Sequence, residues 1–310
     1  MSKTILHTYF STIALLLSTF SFLTSTQPAQ TSAQNKKLTP EELIARHLDS
    51  IGTAEARSKA SSRVAGGETK FIARLGGSAN VDGQAMMVSS GAKLRFGIKL
   101  PLSDYTGEDM AFDGARATTG LLPQGRRSPL SAFFSSQNLP LREGLIGGTL
   151  STAWPLLRLD QAQPKLDYRG LKKVDGRQLH EVGYRARKGS NDLKVSLFFD
   201  PETFRHVRTR YSFEIGAAIG TRENSNQNTE TYYSLTEDFD DFRAVDELTL
   251  PHKYKLQLSI QGTSAAAVAS APPTAQGLPA NPASLLHDWT LTIKQIEHNT
   301  KIDDLIFVIK

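Results

Sequence analysis

Lys93-Leu94-Arg95-Phe96-Gly97-Ile98-Lys99-Leu100 decides the fold: apolar and polar residues take turns, one for one, along the whole segment. Successive side chains of a strand point to opposite faces, so the segment reads as a strand with one greasy face and one wet one. The same alternation recurs in Tyr254-Lys255-Leu256-Gln257-Leu258-Ser259-Ile260 and in Trp289-Thr290-Leu291-Thr292-Ile293. Strands of this kind build antiparallel sheets that bury one face and wet the other. Working outward, strands are predicted at 68–75, 81–88, 93–100 and 108–115, with glycine-bearing turns at Gly76-Gly77, Ser90-Gly91, Thr106-Gly107 and Asp113-Gly114. A second set is predicted at 165–168, 178–186, 193–199, 205–213, 230–235, 253–260 and 289–296. Short connections make antiparallel pairing of neighbours the simplest topology.

Two segments break the alternation. Thr39-Pro40-Glu41-Glu42 is a helix start, with Thr39 placed to cap, Pro40 at the first helical position and Glu42 able to complete a capping box. Leu43, Ile44, Leu48 and Ile51 then form one apolar stripe, ended by Gly52. His47 lies on that stripe, where a packed core histidine is the expectation rather than a ligand. Residues 120–160 carry a second cap-plus-proline start at Ser128-Pro129, then Leu130, Phe133 and Phe134, then Leu145-Ile146-Gly147-Gly148 and Trp154-Pro155-Leu156-Leu157. A sheet with one apolar face needs a cover. The small residues of 120–160 suit a segment lying close against a sheet, so this segment is assigned as a helical cover over the concave face. The fold class is thus mainly antiparallel β with helices (α+β), an antiparallel sheet covered on its concave face by 120–160.

Residues 1–33 have the parts of a secretory signal: Lys3 and His7 near the start, an apolar run over 9–23, and Thr31-Ser32-Ala33 at a cleavage site. A retained membrane anchor is the alternative, but that run is shorter than the roughly 20 residues a spanning helix needs. Export to a bacterial periplasm, with cleavage near Ala33 and no transmembrane anchor afterwards, is the expectation. Residues 34–310 then form a single domain, interrupted by an Ala/Pro-rich stretch over 262–282 that reads as a mobile loop, either a tolerated insertion or a lid.

The chain has no cysteine, which excludes disulfides, thiol nucleophiles, Cys-based metal sites and a lipid-modified cysteine. Its 36 Lys and Arg against 31 Asp and Glu give a net charge of +5, but the basic residues are spread out. Arg126-Arg127, Lys172-Lys173 and 205–210 are the densest clusters, and none is interleaved with aromatics as base stacking requires. Nucleic acid is not an expected partner. A solvated basic face or attraction to anionic headgroups remains.

Bond-making motifs are missing. No Gly-x-Ser-x-Gly elbow, His-Glu-x-x-His pair, Walker loop or dinucleotide fingerprint occurs, and Gly147-Gly148 lacks the Lys-Ser/Thr pair of a phosphate loop. His180 and Glu181 are neighbours on a strand and face opposite ways. Asp238, Asp240 and Asp241 lack the glycine and closing glutamate of an EF-hand and read as a solvated turn, and Asp303-Asp304 reads as a turn or cap. No catalytic residue, metal ligand or cofactor is assigned.

Leu38-Thr39-Pro40-Glu41-Glu42-Leu43-Ile44-Ala45-Arg46-His47-Leu48-Asp49-Ser50-Ile51-Gly52 resembles the opening helix of the LolA/LolB-like periplasmic lipoprotein-carrier family. Further points of resemblance are Glu143-Gly144-Leu145-Ile146-Gly147-Gly148 with Trp154-Pro155-Leu156-Leu157, Phe199-Asp200-Pro201-Glu202-Thr203, Phe239-Asp240-Asp241-Phe242-Arg243 through Leu250-Pro251, and Ile302-Asp303-Asp304-Leu305-Ile306-Phe307. The resemblance implies a strongly curved, unclosed barrel with helices plugging its concave side, where acyl chains are held. It also extends to the sensor RseB, in which a similar fold recognises envelope components and binds a membrane partner. Two functions follow as expectations: a non-catalytic carrier or receptor for a lipid or lipoprotein acyl chain, or an envelope sensor or scaffold that binds a protein partner. The residues expected to line an apolar cavity are Phe96, Ile98, Met110, Phe112, Leu145, Trp154, Leu256, Leu258, Trp289 and Leu291.

Overall fold

The alternating segments pair into one antiparallel sheet in a computed structural model that describes residues 38–75, 79–188, 192–215, 231–262 and 284–309. The secretory segment 1–33, the Gly76-Gly77 turn and the loop after Gly262 were expectations that lie outside the described residues. Among the described residues the strands are β1 (Ser62–Leu75), β2 (Ala79–Ser90), β3 (Lys93–Lys99), β4 (Gly107–Phe112), β5 (Ala117–Thr119), β6 (Lys165–Val174), β7 (Arg177–Arg185), β8 (Lys194–Phe199), β9 (His206–Ile215), β10 (Thr231–Val245), β11 (Leu248–Gly262) and β12 (Ser284–His298). Their order is β5-β4-β3-β2-β1-β12-β11-β10-β9-β8-β7-β6. Two meanders therefore meet where the first strand pairs with the last, Phe71 opposite Trp289. The curved sheet does not close, and β5 and β6 are its edges.

The pattern of burial follows the alternation. In β3, Leu94, Phe96 and Ile98 are buried, while Lys93, Arg95, Gly97 and Lys99 are not. In β11, Tyr254, Leu256, Leu258 and Ile260 are buried on the same face. These inward residues join those of the cover in one apolar cluster. Each such side chain contributes about 1.5–3 kcal/mol by leaving water.

The cover consists of α3 (Pro129–Ser136), α4 (Leu139–Arg142), 3-10 turns at Gly148–Leu150 and Pro155–Arg158, and α5 (Leu159–Ala162). Ser128 caps α3 by accepting from the Ser131 amide. Leu130, Phe133, Phe134, Leu145, Ile146, Leu150, Trp154 and Leu156 are all buried against the sheet. The glycines of the cover explain how closely it lies. Gly147 has φ +78°, and a Cβ there would run into the Met87 thioether. At Gly148 a Cβ would come within 2.8 Å of His206 Nδ1 and 3.0 Å of Phe239 Cζ. Only a residue without a side chain fits either place.

Beside the cover, α1 (Pro40–Ile51) carries the full capping box between Thr39 and Glu42 and buries Leu43, Ile44, His47 and Ile51. A short α2 (Ala54–Lys59), capped by Thr53, follows it.

The structure corrects one reading of the sequence. Asp238, Asp240 and Asp241 do not form a turn; β10 runs straight through them to Val245. Asp238 lies on the wet face beside Arg208, 2.5 Å from its Nε, and Asp241 sits at a local irregularity with φ +53°. The alternation fails at this point because Glu237 occupies an inward position.

Candidate functional site

All ten residues expected to line an apolar cavity are buried. Phe96, Ile98, Met110, Leu145, Trp154, Leu256, Leu258, Trp289 and Leu291 belong to the single large apolar cluster; Phe112 is buried outside it. The sheet supplies an inner wall through β3, β4, β11 and β12, and the cover supplies Leu145 and Trp154. Aromatic rings pack along this wall: Phe71 stacks on Trp289 with centroids 5.4 Å apart, and Phe239 on Tyr254 at 5.2 Å. Met87 and Met110 lie among them, and their flexible thioethers fill irregular space.

Polar side chains of the sheet reach through this apolar layer and hold the cover down. Glu237, on β10, accepts from the Gly147 amide at 2.7 Å, from Tyr254 OH at 2.6 Å and from Tyr211 OH at 2.5 Å. Burial pushes its carboxyl up to about 7 against the pull of those three donors. Glu108, on β4, accepts from Ser128 Oγ at 2.6 Å, Ser131 Oγ at 2.8 Å and Tyr105 OH at 2.6 Å, and burial raises it to about 7 as well. Arg63 of β1 donates to the Thr149 carbonyl, and Ser89 of β2 accepts from the Thr152 amide at 2.9 Å. Among the described residues no strand pairing fastens the cover; apolar packing and single side-chain bonds do.

A third polar group sits where α1, β9 and the cover meet. His47 Nδ1 is 3.1 Å from the Phe204 carbonyl, and its Nε2 accepts from Trp154 Nε1 at 3.3 Å. His206 stacks on Trp154 with centroids 4.6 Å apart and reaches Thr209 Oγ1 at 2.9 Å, leaving Nδ1 without a partner. Burial lowers both histidines, His47 to about 4 and His206 well below its ordinary value. They are neutral packing groups at pH 7. His180 and Glu181 are separated as the strand geometry requires: His180 bonds Tyr168 OH at 2.8 Å, whereas Glu181 pairs with Arg169 at 3.0 Å.

Cavities lie elsewhere. One groove, of about 920 Å³, runs across β12, β1, β2, β3 and β4. Its lining side chains Gln84, Met86, Arg95 and Lys99 occupy positions that alternate with the core residues, so most of it lies on the face away from the cover. Gly66 and Gly97, in register on either side of Met86, leave its floor bare. Its charges are largely paired: Arg95 grips Asp109 through two bonds of 2.9 and 2.6 Å, and Lys294 lies 3.3 Å from Glu68. A second cavity of about 290 Å³ opens at the rim of the cover, between α4, α5 and the residues after β7. A third, of about 110 Å³, lies beside Gly107 and Gly120. Of the ten expected lining residues, Ile98 alone touches any of the three. Sequence reasoning missed Glu108, Glu237 and the rim cavity, whose parts are far apart in the chain.

Among the described residues no group of three or more His, Asp or Glu side chains could hold a metal ion. No described helix is long and apolar enough to cross a membrane.

No protein-family model matches the chain, and no curated protein matches it. Solved structures do. The chain is similar to a LolA superfamily protein from Nitrosomonas europaea, at 10% identity over 88% of this chain and 99% of that one, with a TM-score of 0.43. It is similar to a DUF1329 family protein from Desulfovibrio piger, at 8% identity over 86% and 96%, with a TM-score of 0.37. It is also similar to the Mycobacterium tuberculosis lipoprotein LppX, at 13% identity over 56% and 88%, with a TM-score of 0.20. These are distant likenesses and assign no residue a role.

Proposed function

We propose that the protein is an exported, non-catalytic binding protein that holds an acyl chain, of a lipid or of a lipidated polypeptide, against the inner wall beneath the cover. The observation that carries this reading is how the cover is attached. It consists of short helices and 3-10 turns over an apolar, aromatic wall, fixed by side-chain bonds at Glu108, Glu237, Arg63 and Ser89. Lifting it breaks those discrete bonds, exposes the cover's own apolar side chains and bares a continuous greasy surface. At rest Leu145 and Trp154 fill that surface, so loading is an exchange of the cover's side chains for the ligand's. Each methylene taken from water contributes about 0.8 kcal/mol, so a long acyl chain can offset what the cover gives up. The ten wall residues named above are the proposed contacts, and the periplasm is the proposed compartment. Native mass spectrometry of protein stripped of lipid, then mixed with a phospholipid, is expected to show a one-to-one adduct. A protein that neither carries lipid as isolated nor takes it up afterwards would sink the carrier reading.

The groove on the opposite sheet face favours a second reading, a module that docks an envelope protein across β1, β2 and β3. A photo-crosslinker at the exposed Met86 is then expected to trap one stoichiometric partner, and a smear of unrelated adducts would count against it.

A further inference from the structure

The rim cavity of about 290 Å³ differs from the outer groove in its electrostatics. Arg142, Arg158, Arg187 and Lys188 line it, against a single carboxylate, Glu143. None of the four cations has an ion pair among the described residues, whereas Arg95 and Lys294 in the outer groove are both paired. Glu143 is occupied too, accepting from Tyr184 OH at 2.9 Å. Arg158 is fixed in place by the Ala153 carbonyl, 2.9 Å from its Nη2, and by Gln161 Oε1 at 3.4 Å. Its Nε is buried and has no partner. Arg187 is steadied by Gln163, 2.5 Å from its Nη1.

Four converging cations against one carboxylate, whose charge acts on Arg158, leave a net positive cavity, and a buried guanidinium N–H without an acceptor adds a desolvation cost. A phosphate group answers both, since it brings negative charge and several acceptor oxygens that match guanidinium donors. The space suffices: at ~30 Å³ per water the cavity has the volume of roughly ten waters.

We propose that this rim cavity binds a phosphate group, and that the group is the head of the lipid whose chain lies on the inner wall. The first half stands on the cavity's own residues. The second rests on the carrier reading, and it follows from position: Arg142 and Glu143 immediately precede the Gly144-Leu145 turn into the wall, and Arg158 bonds the carbonyl next to Trp154. A head held at the rim leaves a chain free to run under the cover.

Calorimetric titration of the full chain with three probes tests this: dihexanoyl phosphatidate, uncharged dihexanoylglycerol and inorganic phosphate. Arg187 and Lys188 are exposed, so the double variant Arg187→Gln/Lys188→Gln is expected to fold, and thermal unfolding checks that. The phosphatidate should bind at least about tenfold more tightly than dihexanoylglycerol, a gain that shrinks with salt. The double variant, which keeps Arg142 and Arg158, should cut the gain by at least half and leave dihexanoylglycerol binding unchanged. If inorganic phosphate saturates the protein, weakens in the double variant, and neither lipid binds better than phosphate alone, the anion site stands with free phosphate as its ligand and the carrier reading falls. A phosphatidate that gains nothing over dihexanoylglycerol while inorganic phosphate fails to bind, or a gain undiminished in the double variant, overturns the proposal.

Discussion

Glu237 shows what a single inward acid does to a sheet. It and Glu108 hold their carboxyls near 7 in the native state, against an ordinary value of 4.5. Between those pH values the unfolded chain releases protons that the native state keeps, so both groups make stability fall as pH rises through that window. His47 and His287 act in the opposite sense. Burial lowers each to about 4 from 6.5, so their contribution is complete above pH 6.5 and is lost as pH falls toward 4. The two trends oppose each other across mildly acidic pH. Replacing Glu237→Gln deletes one of the falling contributions. The variant should therefore gain on the wild type as pH is raised from 4.5 to 8, by up to roughly 3 kcal/mol. Urea unfolding at the two pH values measures it, and a pH-independent difference would mean the carboxyl titrates normally. Nothing in the sequence announces this residue, because its donors come from 147, 211 and 254, three segments that meet only in the fold.

Elements with local signals were legible. Thr39-Pro40 and Ser128-Pro129 place the starts of α1 and α3, since capping is decided within four residues. β3, β11 and β12 were legible for the same reason, because alternation needs no partner to be read. Other elements were not. α2 buries only Ala56 and so shows no apolar stripe, and β5 is three residues long. The lower part of β10 was hidden by the acids on both of its faces. At this scale the sensitive point is the start of α3. Ser128→Ala removes both the cap and a bond to the buried Glu108, and it is expected to cost about 1–3 kcal/mol in urea unfolding. A loss below about 0.5 kcal/mol would show that Ser131 and Tyr105 satisfy the carboxylate alone.

For the whole molecule, the sheet and its cover should differ in how readily they open. β1, β11 and β12 form the centre of the pairing order, whereas the cover is tied down at a few points. Amide hydrogen exchange is expected to release residues 139–158 as a group, well before those central strands. Release only on global unfolding would leave no route to the inner wall. The inner wall was readable from alternation, residue by residue, but whether it encloses space was not, because that depends on how deeply 145–154 insert. The rim cavity was equally unreadable, its arginines being contributed by α4, the 3-10 turn at Pro155–Arg158 and the chain after β7. The open edges of the sheet carry a last consequence. β6 presents exposed Lys165, Lys172 and Lys173 along its free side and is kinked between Tyr168 and Leu171, while β5 is too short to template anything. Copies of the chain are thereby kept from zipping together rim to rim, even where crowded. Acetylating those lysines would remove their charge from the edge and leave the kink as its main guard.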